Sequence, residues 1–87
     1  NMNDANAVVI WTARDVADFL KMSERWVRQS SSIPDTEPGS IPHFRIGRRA
    51  RFIADDIRDW VLQGCPTASE YRRRMKIKAS KNERMTA

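Results

Sequence analysis

Cysteine and histidine are nearly absent from this 87-residue chain: Cys65 and His43 are the only ones. One cysteine excludes an internal disulfide, and one histidine beside it excludes a zinc site built from Cys and His ligands. Long apolar runs are missing too. The longest, residues 7–11, falls far short of the ~20 residues that cross a bilayer. No basic-then-apolar leader pattern stands before it. A chain of this length makes one small domain, which buries only about 60% of its unfolded surface and so has a thin core. A deep substrate pocket is therefore not expected. These absences leave a basic domain, expected in the cytoplasm, that binds something acidic rather than catalysing.

Acidic residues are also missing from particular places. The chain carries 16 Lys+Arg against 11 Asp+Glu, a formal +5. Residues 1–64 hold nine of each sign, so the whole excess lies in residues 65–87. Residues 43–51 contain Arg45, Arg48, Arg49 and Arg51 and no acid. A polyanion would thus meet two separate basic surfaces on a body that is otherwise neutral.

Thr12 followed by Asp15 is a capping-box spacing, and Ala13, Val16, Ala17 and Leu20 share one face at 100° per residue. The pattern predicts a helix over residues 13–20. Ser23 is a second N-cap. Behind it Trp26, Val27 and Ser30 cluster on one side, and Glu24, Arg25, Arg28 and Gln29 on the other. Two short helices separated only by Lys21 and Met22 must cross at a large angle, the helix-turn-helix pattern. Lys21 stands near the place of the usual turn glycine. Residues 30–40 read as a loop and residues 41–53 as a β-hairpin. A three-residue loop at Gly47, Arg48 and Arg49 would pair Ile46 with Ala50 and Phe44 with Phe52, putting all four apolar side chains on one face. Arg45 and Arg51 would then pair on the other face. Asp55 is the expected cap of a third helix with Ile57, Trp60 and Val61 inward, stopped by Gly64 and Pro66. Thr67 and Glu70 have the spacing to start a further helix reaching about residue 78, with a thin apolar stripe. Trp26, Phe44, Phe52 and Trp60 are expected to be buried together.

The order is helix, tight turn, helix, loop, arginine-rich hairpin, helix: mainly α with a small β-hairpin, a winged helix-turn-helix. The stretches Trp11-Thr-Ala-Arg-Asp-Val-Ala-Asp-Phe-Leu20, Ser23-Glu-Arg-Trp-Val-Arg28, Ile41-Pro-His-Phe-Arg-Ile-Gly-Arg-Arg49 and Arg51-Phe-Ile-Ala-Asp-Asp-Ile-Arg-Asp-Trp60 resemble the excisionase-type domains, small MerR-like winged helices of phages and mobile elements. The resemblance spans roughly residues 9–62. It divides the chain into a flexible N-terminus (1–8), the winged domain (9–64) and a basic C-terminal tail (65–87), helical in part. The loop before the wing is longer than the family's usual turn, and the tail lies outside the pattern.

The resemblance implies a sequence-specific protein for double-stranded DNA. Such a protein would bend DNA as several cooperating copies and bias a site-specific recombinase toward excision, with an integrase as partner. It would sit in the cytoplasm on the nucleoid, without cofactor, metal or catalytic residues. The second helix would enter a major groove with Glu24, Arg25, Arg28 and Gln29; arginine's fork reads guanine and glutamine reads adenine. The wing would bring Arg45, Arg48, Arg49 and Arg51 to phosphates or a narrow minor groove. Thr12, Ser23, Arg72, Arg73 and Arg74 are expected as weaker backbone contacts.

Plainer readings stand beside these. The second helix's polar side is also what a solvated face looks like, and the wing arginines what solubilising edge charges look like. Trp11, Trp26 and Trp60 fall on inner faces and read as core. Asp55, Asp56 and Asp59 are accounted for better by a helix start than by a metal. His43 reads as a strand-face residue and Cys65 as an inert or exposed thiol. A transcriptional regulator or a phage DNA-packaging subunit would use the same head, and a protein-interaction module could use the same fold without nucleic acid.

Overall fold

The computed structural model describes residues 7–86, with side chains through Lys78. The first six positions of the stretch expected to be loose lie outside the described residues, as do the side chains of Lys81 and Arg84 in the tail. Seven elements follow one another: β1 (Ile10–Trp11), α1 (Ala13–Leu20), α2 (Glu24–Ser30), β2 (Phe44–Ile46), β3 (Arg49–Ile53), α3 (Ala54–Leu62) and α4 (Ala68–Thr86). The strands form one small antiparallel sheet in the order β1-β3-β2. Among the described residues, no helix is long and apolar enough to cross a membrane.

Helix α1 starts as its sequence dictates. The Asp15 amide donates to Thr12 Oγ1 at 3.2 Å, and the Thr12 amide donates back to the Asp15 carboxylate at 3.0 Å. The capping box is therefore complete. Val16 and Ala17 go into the core. The helix ends at Lys21, whose φ of 60° places an ordinary side chain in the left-handed region that glycine usually fills. Helix α2 opens two residues later, with Ser23 Oγ accepting from the Trp26 amide at 3.0 Å, and it buries Val27 and Ser30.

The hairpin departs from expectation. Its pairs are Phe44 with Arg51, Arg45 with Ala50 and Ile46 with Arg49, so the turn has two residues, Gly47 and Arg48, not three. Gly47, at φ 63°, supplies the positive φ that the first central position of a II′ turn requires. Phe52 and Ala50 face the core, while Phe44 and Ile46 stand on the opposite face, Ile46 61% exposed. Arg45 and Arg51, expected as a pair, are on opposite faces of the hairpin. The expected register assumed that the core needed all four apolar side chains from the hairpin. In fact the helices and Ile41 fill it, β1 covers the far edge of β3 by pairing Trp11 with Phe52, and α4 stands beside the second face. Phe52 and Trp60 are buried in the core cluster and Trp26 packs half-buried against that cluster, but Phe44 is outside it.

Helix α3 also starts differently. Strand β3 runs straight into it, Ile53 occupies the cap position without a side-chain bond, and Asp55 lies inside the first turn. The helix begins one residue ahead of Asp55, so Asp55 cannot cap it, and the first helical amide, Ala54, donates to Val9 O at 2.9 Å. Asp55 and Asp56 still complement the helix dipole, and Asp55 pairs with Arg58. The end is as expected. Gly64 has φ 86°; its amide bonds Val61 O and the Cys65 amide bonds Trp60 O, a Schellman closure.

The core continues past residue 64. Ala68 and Tyr71 of α4 are as buried as Val16, Val27, Ile41, Phe52 and Ile57. The long loop before β2 is the platform for this helix. Ser40 Oγ donates to Asp35 O and accepts from the Ala68 amide, each at 2.9 Å. The Ser69 amide bonds Asp35 O, and Arg72 is ion-paired with Asp35. Trp60 Nε1 donates to Pro66 O at 2.7 Å, fixing the α3–α4 link.

Candidate functional site

The tight α1–α2 turn and the hairpin leave an open groove of about 420 Å³ between them. Its walls are the N-terminal turn of α1 (Thr12, Ala13, Arg14), one side of α2 and the residues after it (Glu24, Arg28, Ser31, Ser32), and the hairpin (Arg45, Arg48, Arg49, Ala50, Arg51). Six arginines meet one carboxylate, Glu24, which is ion-paired with Arg28 one helical turn on. Six guanidinium groups lining one groove concentrate positive potential there, because a concave surface focuses the field.

Of the residues expected from sequence, Thr12, Glu24, Arg28, Arg45, Arg48, Arg49 and Arg51 come together in this groove. Arg25 and Gln29 are exposed on α2 but do not line it. Ser23 Oγ is occupied as a helix cap. Arg14, Ser31 and Ser32 line the groove and were not expected there. The available sign for Arg14 was its place in the first turn of α1, pointing away from the apolar stripe; that the turn faces the hairpin is a tertiary fact.

The arginines are not equivalent. Arg45 donates to Ser31 O at 3.1 Å and to Arg48 O at 3.3 Å. Arg51 donates to Ala50 O at 2.8 Å. Arg14, Arg48 and Arg49 make no side-chain hydrogen bond or ion pair to the described residues, which leaves their donors available to a ligand. The three arginines expected as weaker contacts are held elsewhere. Arg72 bonds His43 O at 2.8 Å beside its ion pair with Asp35. Arg73 and Arg74 both bond the Glu70 carboxylate, and Arg74 also reaches Gln63. The hydrogen bonds from Arg73 and then Arg74 hold the Glu70 carboxyl down at about 2.

On the other side of the hairpin, Pro42, His43, Phe44, Ile53, Asp56, Tyr71 and Arg72 line a second cleft of about 250 Å³. Burial raises the Asp56 carboxyl, and burial together with Asp56 and Asp59 raises the Tyr71 hydroxyl, which donates to both carboxylates at 3.3 and 3.2 Å. Among the described residues, no group of three or more His, Cys, Asp or Glu side chains is placed to hold a metal. No family model, curated protein or solved structure matches the chain.

Proposed function

We propose that this chain is a sequence-specific, non-enzymatic protein for double-stranded DNA, a winged helix-turn-helix in which α2 enters the major groove and the β2–β3 hairpin is the wing. The observation that carries this is the six-arginine groove formed jointly by the α1 N-terminus, the end of α2 and the hairpin tip. A polyanion with a phosphate every few ångströms is the ligand that such a spread of guanidinium groups suits. Arg28 and the exposed Arg25 and Gln29 supply base-reading donors on one helix face, and Arg14, Arg48 and Arg49 supply backbone contacts. The C-terminal arginines Arg72, Arg73 and Arg74 lie outside this groove, ion-paired with Asp35 and Glu70, and are not assigned a direct part.

The resemblance to excisionase-type domains supports an architectural role: several copies load cooperatively on neighbouring sites and bend the DNA in favour of excision by an integrase. This work would be done in the cytoplasm, with no cofactor and no membrane. The test starts with selection of bound duplexes from a randomised pool, followed by anisotropy titrations against the selected and scrambled sequences. Arg28→Ala is expected to weaken the selected duplex by about 1–3 kcal/mol and the scrambled one much less. A pool that yields no enriched sequence, or equal losses on both duplexes, rejects α2 as the reading element. A gene for an integrase beside this one would favour the excision role over a transcriptional one.

A further inference from the structure

The hairpin tip and α2 form opposite walls of the groove, yet their backbones approach each other only sparsely. Helix α1 packs on both α2 and β3, so it links them from behind and does not fix the tip. The tip itself rests on three cross-strand pairs and a two-residue turn. One side chain spans the gap. Arg45 stands opposite Ala50, whose small side chain leaves the guanidinium room to lie across the groove floor. One terminal nitrogen donates to the carbonyl of Arg48 at the tip, and the other to the carbonyl of Ser31, the C-cap of α2. Among the described residues this is the hydrogen bond that joins the end of α2 to the hairpin strands. The acceptor is well chosen physically. A helix C-terminus presents unpaired carbonyls and the negative end of the dipole, and Ser31 and Ser32 hydroxyls already satisfy the Arg28 carbonyl nearby.

We propose that Arg45 is a positioning residue: its guanidinium braces the hairpin tip against the C-terminus of α2 and sets the distance across which the groove grips its ligand. Both terminal nitrogens are engaged with backbone carbonyls, so its role in this proposal is to brace and not to grip a phosphate, in contrast to Arg48 and Arg49, whose side chains make no hydrogen bond to the described residues. The binding arm of this inference rests on the DNA reading above; the structural arm does not.

The test compares Arg45→Met, which keeps the aliphatic stem, with Arg45→Lys and Arg48→Ala. In the free protein, residual dipolar couplings of the hairpin amides should fit the same alignment as those of α1 and α2. In Arg45→Met they should depart from it with reduced amplitude while the melting curve stays close to the parent's. Lysine reaches one carbonyl at a time and should fall between. On the selected duplex, Arg45→Met should bind about tenfold more weakly with an unchanged salt slope, whereas Arg48→Ala should lose about one unit of slope. Hairpin couplings that still share the alignment of α2 in Arg45→Met overturn the brace. A salt slope that falls by one in Arg45→Met makes Arg45 a phosphate contact and overturns it equally. A parent protein that enriches no duplex defeats the DNA reading, and the couplings then still decide the brace.

Discussion

At the scale of single residues, six arginines in one groove divide by what already holds them. Arg48 and Arg49 are open to a ligand. Under the proposed DNA binding, each contributes about one counterion to the salt dependence, so Arg48→Ala or Arg49→Ala should weaken selected and scrambled duplexes alike and flatten log K against log[salt] by about one unit. An unchanged slope in both variants would falsify their role as phosphate contacts. Lys21 is a separate matter of backbone strain. An L residue in the left-handed region costs about 1–2 kcal/mol, against which glycine's extra unfolded-state freedom costs about 0.5–1. Lys21→Gly should therefore raise stability by about 0.5–1 kcal/mol, read as a higher denaturant midpoint with an unchanged m-value.

Among the elements, α4 decides most. Its first two turns are part of the core through Ala68 and Tyr71, so a chain ending at Pro66 loses a large buried aromatic. That loss should cost about 3–5 kcal/mol, enough to unfold much of a domain this small. A chain ending at Lys78 keeps those contacts and should melt near the parent temperature. Equal melting of the two would mean that α4 is dispensable to the core. The same helix carries an acid-dependent contribution. Arg73 and Arg74 lower the Glu70 carboxyl from its ordinary 4.5 to about 2. A folded-state value below the unfolded one means stabilisation that is present above the unfolded pKa and lost as pH falls toward 2. Glu70→Gln should remove that part of the acid limb while leaving the arginines' surroundings otherwise intact; urea melts between pH 2 and 6 read it directly.

For the whole molecule, charge is distributed against its simple total. The net +5 lies in residues 65–87, yet among the described residues six arginines line the groove, built from a stretch of chain with no net charge. If that groove is what meets DNA, about 4 to 6 phosphates are neutralised and the salt slope should be roughly −4 to −5. A chain ending at Lys78 should show nearly the same slope. A much steeper slope in the full chain than in the shortened one would bring the basic tail into the interface. Under the proposed DNA binding, so small a head would read a short site, and useful discrimination would then require neighbouring copies. Footprint titrations should show cooperative filling of adjacent sites; strictly independent filling favours a simple regulator over an architectural factor.

The sequence by itself determined what is local. Thr12 with Asp15, Ser23, and Gly64 before Pro66 fix helix ends, because caps act over three or four residues. The 3.6-residue stripes of α1 and α2 fix their inner faces, and the arginines near residues 45–51 mark a basic turn. Tertiary structure decided what depends on neighbours distant in the chain. β1 was invisible because two residues carry no period, and it exists only by pairing with β3. The hairpin register followed from the turn at Gly47 and from α4 standing beside its second face, so Phe44 did not have to turn inward. Asp55 lost its cap role because β3 runs straight into α3, which begins at Ala54, one residue ahead of it. The division of the arginines into brace, ion-paired and open groups is equally nonlocal. Identical side chains in sequence acquire different work according to which carbonyls and carboxylates the fold carries to within hydrogen-bonding distance.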